Sequence, residues 1–145
     1  MTAKAMTNVT LLIGRLALVA LYLESAVGKF GALDGIAGAL AVMGHPAALL
    51  FAAVAAAGEL AGAIGVAAGL FTRVAALGLF AFTVLATVSF HNFWAFEDAA
   101  RADQYMHFMK NLGLAGGLLI LAAAGSGRLA LDAWRSRRAR RQVTA

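Results

Sequence analysis

Apolar residues in this chain do not alternate with polar ones; they run in long blocks. Four blocks stand out, at roughly 9–27, 47–71, 74–90 and 108–124. A helix that crosses the ~30 Å hydrocarbon layer needs about 20 residues, with about 17 as the lower limit. The first two blocks meet this length comfortably. The last two sit near the limit, so their polar ends are expected to extend the helices into the interface. Between the first two blocks, Leu33, Ile36, Leu40 and Met43 recur on one helical face. Asp34 is the expected N-cap of that short segment, and Gly44 and Pro46 stop it. It is too short to cross and is expected to lie at, or dip into, the outer interface. The segment Asn92–Met106 mixes Phe93, Trp94, Phe96 and Tyr105 with acids and reads as a loop in the headgroup layer. Thr72–Arg73 reads as a tight turn. The pattern predicts an all-α protein: an integral membrane four-helix transmembrane bundle with a short interfacial helix between helices 1 and 2. It forms one domain over 1–145, with a basic tail at 125–145.

Composition agrees with a lipid solvent, since 62% of residues are hydrophobic and 13% charged. Lys4 ahead of an apolar run resembles a secretory leader, but Arg15 interrupts the run and Glu24 occupies the cleavage region, so an uncleaved first span is expected. With no cysteine, disulfides, thiol relays and thiolate metal sites are excluded. Lys4, Arg73 and the cluster Arg128, Arg135, Arg137, Arg138, Arg140 and Arg141 fall on one side of the spans. The positive-inside rule puts that side, and both termini, in the cytoplasm. Beside a final span, a basic tail has anionic membrane lipid rather than nucleic acid as its partner.

Within this frame one residue is conspicuous. Glu59 lies in the middle of the run Ala47–Phe71, which has no other charge. A carboxylate at that depth costs several kcal/mol unless paired, protonated or wetted. Gly58, Gly62, Gly65 and Gly69 form a stripe on the same helix, and Gly113 and Gly117 repeat the spacing on the fourth, with Gly116 beside them. Such stripes allow close backbone approach in lipid and turn Glu59 toward the bundle. Thr83, Thr87 and His91 make one polar strip on the third helix. Arg15, Tyr22 and Lys29 share a face of the first, with Glu24 on the other side. His107, Lys110 and Asn111 share a face of the fourth.

Each of these residues also has a structural explanation. Thr87 can bond its own helix carbonyls, Lys29 and Lys110 can snorkel outward, and His91 and Trp94 can anchor at the interface. Arg15 can pair statically with Glu59 or Glu24. Against these stands a functional arrangement: Glu59 in an enclosed polar cavity shared with Arg15, His91 and Lys110 or Asn111, where only the long arginine reaches the carboxylate directly. His91, His107, Glu97 and Asp103 match no local metal-ligand spacing, so no metal site is assigned.

The ordered segments Arg15–Tyr22 leading to Gly28-Lys29, Gly58–Arg73, Phe90–Trp94, Phe108–Leu121 and Gly125–Trp134 give the chain a resemblance to the DoxX family of small bacterial membrane proteins, over about Leu11 to Trp134. Glu24 and Ala26 depart from an expected apolar residue and a glycine, and Ala130 stands where the family ending has serine. The resemblance implies a four-helix protein of the bacterial inner membrane, tied to redox metabolism as an oxidoreductase subunit in quinol-oxidising or thiosulfate–quinone systems. Carried over by position, it points to Arg15, Lys29, Glu59, His91, Asn92, Trp94, Lys110 and Asn111.

The expected function is therefore a small subunit of a quinone-linked redox system. Glu59, His91 and Lys110 are its candidate catalytic residues; Arg15, Lys29, Asn92, Trp94 and Asn111 are its candidates for binding the cofactor. A quinone, or another hydrophobic small molecule, is the candidate ligand. His91 or Lys110 would donate to a carbonyl, Glu59 relay a proton, and Trp94 or Phe93 stack on the ring. The sequence holds no haem-attachment motif, Fe–S cysteine set or nucleotide loop, so electrons must come from a partner oxidoreductase. Two alternatives stand beside this reading. One is a non-enzymatic accessory or scaffold protein, supported by the glycine seams, which also suit a homo-oligomer. The other is a proton-coupled exporter of hydrophobic compounds, which with four helices would need to dimerise.

Overall fold

The structure is a computed structural model that describes residues 2–143; the side chains at 140, 141 and 143 lie outside the description, and with them those of Arg140 and Arg141. Its helices are α1 (Ala3–Gly31), α2 (Leu33–Val42), α3 (Ala48–Ala68), α4 (Thr72–Phe90), α5 (Asp98–Ala124) and α6 (Leu131–Val143), with one 3₁₀ turn at Phe93–Ala95. Among the described residues every regular element is helical, and α1, α3, α4 and α5 are long and apolar enough to span a bilayer.

Two of these helices outrun their apolar blocks. Thr2 accepts from the Ala5 N–H and starts α1 well before the first apolar block. In α5 the run begins at Asp98, not near Phe108, so most of the expected loop Asn92–Met106 is helical. Ala99, Ala100, Arg101 and Gln104 are good helix formers, and a helix need not stop where the hydrocarbon does. The expected turn at Thr72–Arg73 also shifts: the chain reverses through Gly69–Phe71, and Thr72 and Arg73 already belong to α4. Asp34 does not cap α2. Ala32 holds the N-cap position because only one residue separates α1 from α2, and Asp34 sits in the first turn, where its charge suits the helix dipole.

Along the bundle, α1 packs on α3, α3 on α4 and α4 on α5, while α5 touches α1 more sparsely. The short α2 rests on α3 through Leu33, Ile36 and Leu40, which are half-buried, whereas Met43 is exposed. The core joins Val19 and Tyr22 of α1, Ala63 and Val66 of α3, Ala76 and Leu79 of α4, and Leu118, Leu121 and Ala122 of α5. Alanines on this inner surface keep the helices close, so dispersion between well-packed helices does what hydrophobicity cannot do in lipid. The glycine stripes divide. A Cβ on Gly62 would lie 2.8 Å from Leu79 Cγ and one on Gly117 would lie 3.0 Å from Leu18 Cδ1, whereas Gly58, Gly113 and Gly116 have nothing within 4 Å among the described residues. On α3 the seam takes in Gly62, Gly65 and Gly69 and leaves Gly58 open, whereas on α5 Gly117 is packed and Gly113 and Gly116 are open.

The end of the bundle that carries α6, the tail end, is closed by a clamp. Gly69 takes the left-handed conformation (φ 67°) as the C-cap of α3, and a Cβ there would collide with the Arg15 guanidinium and Ala130. Phe71 is also left-handed (φ 47°), a costly conformation for a bulky residue. Asp132 holds this reversal in place. Its Oδ1 accepts from the Phe71 N–H at 2.9 Å. Its Oδ2 accepts from the Thr72 N–H and hydroxyl, each at 3.0 Å. Its own N–H donates to the Gly69 carbonyl at 2.9 Å. The first turn of α4 is thus capped by a residue from another helix. Burial pushes the Asp132 carboxyl upward, but the bonds from Thr72 and Phe71, aided by the Arg135 charge, outweigh it and hold the group below the usual carboxylate range. The Arg128 N–H donates to Asn8 Oδ1 at 2.8 Å, so the start of α1 joins the same clamp.

Leucine at Gly62 should lower the temperature at which detergent-solubilised protein aggregates, because Leu79 is itself in the core and cannot retreat without a cost of about 1–3 kcal/mol. Leucine at Gly117 should cost less, since Leu18 is only half-buried, and leucine at Gly113 should be close to neutral. Equal melting of all three variants would place the seam elsewhere.

Asp132→Asn should destabilise by about 0.5–2 kcal/mol, the range of an N-cap. The wild-type carboxyl has a depressed pKa when folded, so its contribution is complete above the ordinary carboxylate pKa and fades as pH falls through the lower folded value. Thermal melts of wild type and Asp132→Asn should therefore converge on acidification below the ordinary carboxylate range. A gap that stays constant with pH would contradict the assignment.

Candidate functional site

On α1, Arg15 and Tyr22 are buried and Lys29 half-buried on one face, while Glu24 is exposed on another. Helical side chains lean toward their own N-terminus. From near the end of α1, the Lys29 side chain therefore runs back along the helix rather than outward. Its ammonium meets Ser25 Oγ one turn earlier and Glu59 Oε2 at 2.7 Å. Glu59 sits roughly halfway along α3 and is 2% exposed, against 27% for Lys29. The same Nζ stands 5.5 Å from the centre of the Phe82 ring on α4. All three ammonium protons thus have a direction: a hydroxyl, a carboxylate and an aromatic face.

Beside this pair, two polar contacts tie helices together. The Thr83 hydroxyl gives its single proton to the Leu79 carbonyl at 2.7 Å, so it can only accept in its 2.6 Å contact with Tyr22, whose phenol is the donor. By the same logic Thr87, which donates to the Thr83 carbonyl at 2.6 Å, accepts from Asn111 Nδ2 at 2.9 Å. Tyr22–Thr83 joins α1 to α4, and Asn111–Thr87 joins α5 to α4. Thr87 therefore does bond its own helix, and it serves α5 as well.

Arg15 does not approach Glu59. It lies at the tail end, 1% exposed, and Nη2 donates to the Leu129 carbonyl at 2.6 Å. Among the described residues its Nε and Nη1 meet no acceptor. Its charge lies beside the carbonyl end of α3 at Gly69, where a helix dipole favours a cation. An arginine partner for Glu59 is thus replaced by a lysine one. Arg15 sits far down α1 and takes the nearest carbonyl, whereas Lys29 reaches the carboxylate from the opposite direction.

At the other end of the bundle, the loop end, a third group collects. His91 Nδ1 contacts Gln104 Oε1 at 2.8 Å, and its ring stacks on His107 with centroids 4.9 Å apart. Lys110 is exposed, with Nζ 3.4 Å from His107 Nδ1. Asn92 is half-buried at the start of the 3₁₀ turn. Trp94 is 57% exposed and meets Phe93 and Phe108 edge-on.

The expected cavity joining Glu59, Arg15, His91 and Lys110 is therefore not what the helices build. Its members divide among the tail end, the midspan and the loop end, and Asn111 alone of the proposed fourth-helix donors reaches the midspan network. Four contributors escaped the sequence analysis: Ser25, Phe82, Gln104 and Asp132. Ser25 had a signal, the i, i+4 spacing to Lys29. Gln104 and Asp132 had none, because their partners are distant in sequence.

Comparison with known proteins agrees with this architecture. The inner membrane protein YphA of Escherichia coli K12 is 33% identical over 124 residues, covering 86% of this chain and 89% of the relative. The inner membrane protein YqjF of the same organism is 30% identical over 129 residues, covering 89% and 94%. No solved structure matches the chain. The DoxX family pattern matches residues 10–92, a stretch that includes Arg15, Lys29, Glu59 and His91. With that match and two relatives aligned over nearly their whole length, the chain belongs to the DoxX family.

Proposed function

We infer that this inner-membrane protein is a small subunit of a quinone-linked redox system, with the Lys29–Glu59 pair as its functional centre. The observation that carries this reading is a 2.7 Å ion pair midway through the bundle, with the carboxylate at 2% exposure. Two charges taken out of water are rarely more stabilising than a well-packed apolar pair, and ionisable residues inside spans mark proton, ion or ligand sites. The two partners differ in a useful way. Lys29 is the accessible half, and the ammonium proton that faces the Phe82 ring is the one that can turn to a carbonyl oxygen. Glu59 lies behind it, holds it in place through the ion pair and is the candidate proton relay. Phe82 offers an apolar face beside the ammonium. Electrons come from a partner oxidoreductase. The loop-end group of His91, Asn92, Trp94 and Lys110 lies outside this centre.

The tail end holds Lys4, Arg73 and the α6 arginines, so the positive-inside rule orients it, with both termini, toward the cytoplasm. A second reading, a non-catalytic accessory protein that holds an oxidoreductase in the membrane, has support in the Tyr22–Thr83 and Asn111–Thr87 ties. These behave as interhelical glue.

Lys29→Met strands a buried carboxylate and should destabilise the solubilised protein by about 3–5 kcal/mol, the penalty for half a buried pair. Glu59→Gln should cost less, because the freed lysine is partly exposed and can turn outward. The double variant Lys29→Met with Glu59→Gln should recover most of the stability while losing quinone retention. Quinone co-extracted per chain in mild detergent is the measurement. A double variant that keeps both stability and wild-type quinone content removes the pair from the function.

Orientation is checked with single cysteines, since the chain has none of its own. An impermeant thiol reagent added to spheroplasts should label Asp98→Cys and spare Ser126→Cys. The reverse pattern would invert the topology.

A further inference from the structure

At the tail end, the first turn of α4 and the last turn of α5 border a shallow cavity of about 430 Å³, lined by Phe71, Thr72, Arg73, Val74, Ser126 and Asp132 among others. It takes no part in the Lys29–Glu59 centre. Its position at the ends of two spans puts it in the headgroup layer of the membrane.

The lining separates by chemistry. Arg73 is exposed and spends Nη1 on the Ala122 carbonyl at 3.1 Å. That bond uses one of the five N–H donors of a guanidinium, and the group lies across Gly125, where a Cβ would stand 3.5 Å from Nη2. Ser126 adds a hydroxyl whose contact in this structure, to the Gly127 carbonyl, is a long 3.4 Å. Arg135 stands 4.9 Å over the Phe71 ring at the rim. This side of the cavity suits an anion with several oxygens, the arrangement in which arginine excels.

The same cavity is lined by Asp132. Among the described residues its Oδ2 accepts two hydrogen bonds but its Oδ1 accepts one, and each carboxylate oxygen has two lone pairs. A charged carboxylate with acceptor capacity left suits a cationic N–H donor. A simple anion would be repelled by it. Beyond the polar groups, Phe71 and Val74 are 61% and 72% exposed, an apolar ledge that continues onto the lipid face of α4. Groups for an anion, for a cation and for an apolar tail around one cavity describe one kind of molecule.

We propose that this cavity binds a glycerophospholipid whose phosphodiester is joined to a primary ammonium, with the phosphodiester on Arg73 and Ser126 and the ammonium on Asp132. A quaternary ammonium has no N–H to give Asp132, and a glycerol headgroup supplies hydroxyls without the positive charge. The site thus discriminates among lipids as well as retaining one.

Delipidated wild-type protein in mild detergent is titrated with ethanolamine, choline and glycerol phospholipids of the same acyl chains, and bound lipid per chain is read by native mass spectrometry. One ethanolamine lipid should bind at about tenfold lower concentration than either competitor. Arg73→Gln should weaken that binding by about tenfold and narrow the preference, with Ser126→Ala showing a smaller loss. The wild-type titration stands even if Arg73→Gln folds poorly. Equal binding of the three lipids, a preference for choline or glycerol lipid, or a well-folded Arg73→Gln with unchanged binding would overturn the proposal. Displacement of the lipid by added inorganic phosphate would overturn the lipid as the source of the phosphate group. Quinone content, read on the same samples, reports on the Lys29–Glu59 centre separately.

Discussion

Glu59 can be buried in the middle of α3 because Lys29 comes to it, and the placement of α1 against α3 follows from that requirement. A carboxylate at 2% exposure in a protein surrounded by hydrocarbon has no water to fall back on. Its partner must come from a neighbouring helix at the correct depth and direction. Lys29 meets this because an α-helical side chain leans toward the helix start, so a residue near the far end of α1 delivers its charge to the midplane. The alanine-rich α1–α3 contact brings the two backbones close enough, and Ser25 occupies another of the lysine's donors.

The same rule governs the other polar groups. The Thr83 and Thr87 hydroxyls of α4 are each spent twice, once on their own helix carbonyl and once on a neighbour, and so receive Tyr22 and Asn111 from the helices on either side. Bonds of this kind in membranes average well under 2 kcal/mol, and their value here is to fix rotation. Apolar helices in lipid can turn about their axes at little cost. A tyrosine that must find one particular threonine cannot.

At the tail end, ordering falls to α6 and the segment before it. Asp132 holds the α3–α4 reversal, Leu129 offers its carbonyl to the buried Arg15, and Arg128 binds Asn8. The resulting clamp ties together the start of α1, the end of α3 and the start of α4 through a segment that follows the last span. The arginines of α6 therefore belong to an element hydrogen-bonded to the bundle through Asp132.

The sequence by itself determined the number of spans, the short helix between the first two, and which polar faces of α1, α3 and α4 turn inward. Block hydrophobicity, the seven-residue recurrence of Arg15, Tyr22 and Lys29, and the isolation of Glu59 are all local patterns, and a helix converts local spacing into a face without outside help. It did not determine where α1 and α5 begin, because hydropathy registers the hydrocarbon and not the hydrogen-bonded helix beyond it. Nor could it choose between Arg15 and Lys29 as the partner of Glu59, since both lie on one face and the choice depends on how far α3 is slid along α1. The pairing of His91 with Gln104, the capping of α4 by Asp132, and the division of the glycine stripes into packed and open positions were likewise decided only in three dimensions. Each depends on the relative height and rotation of two helices, quantities fixed by the sum of many side-chain contacts and written in no single stretch of the chain.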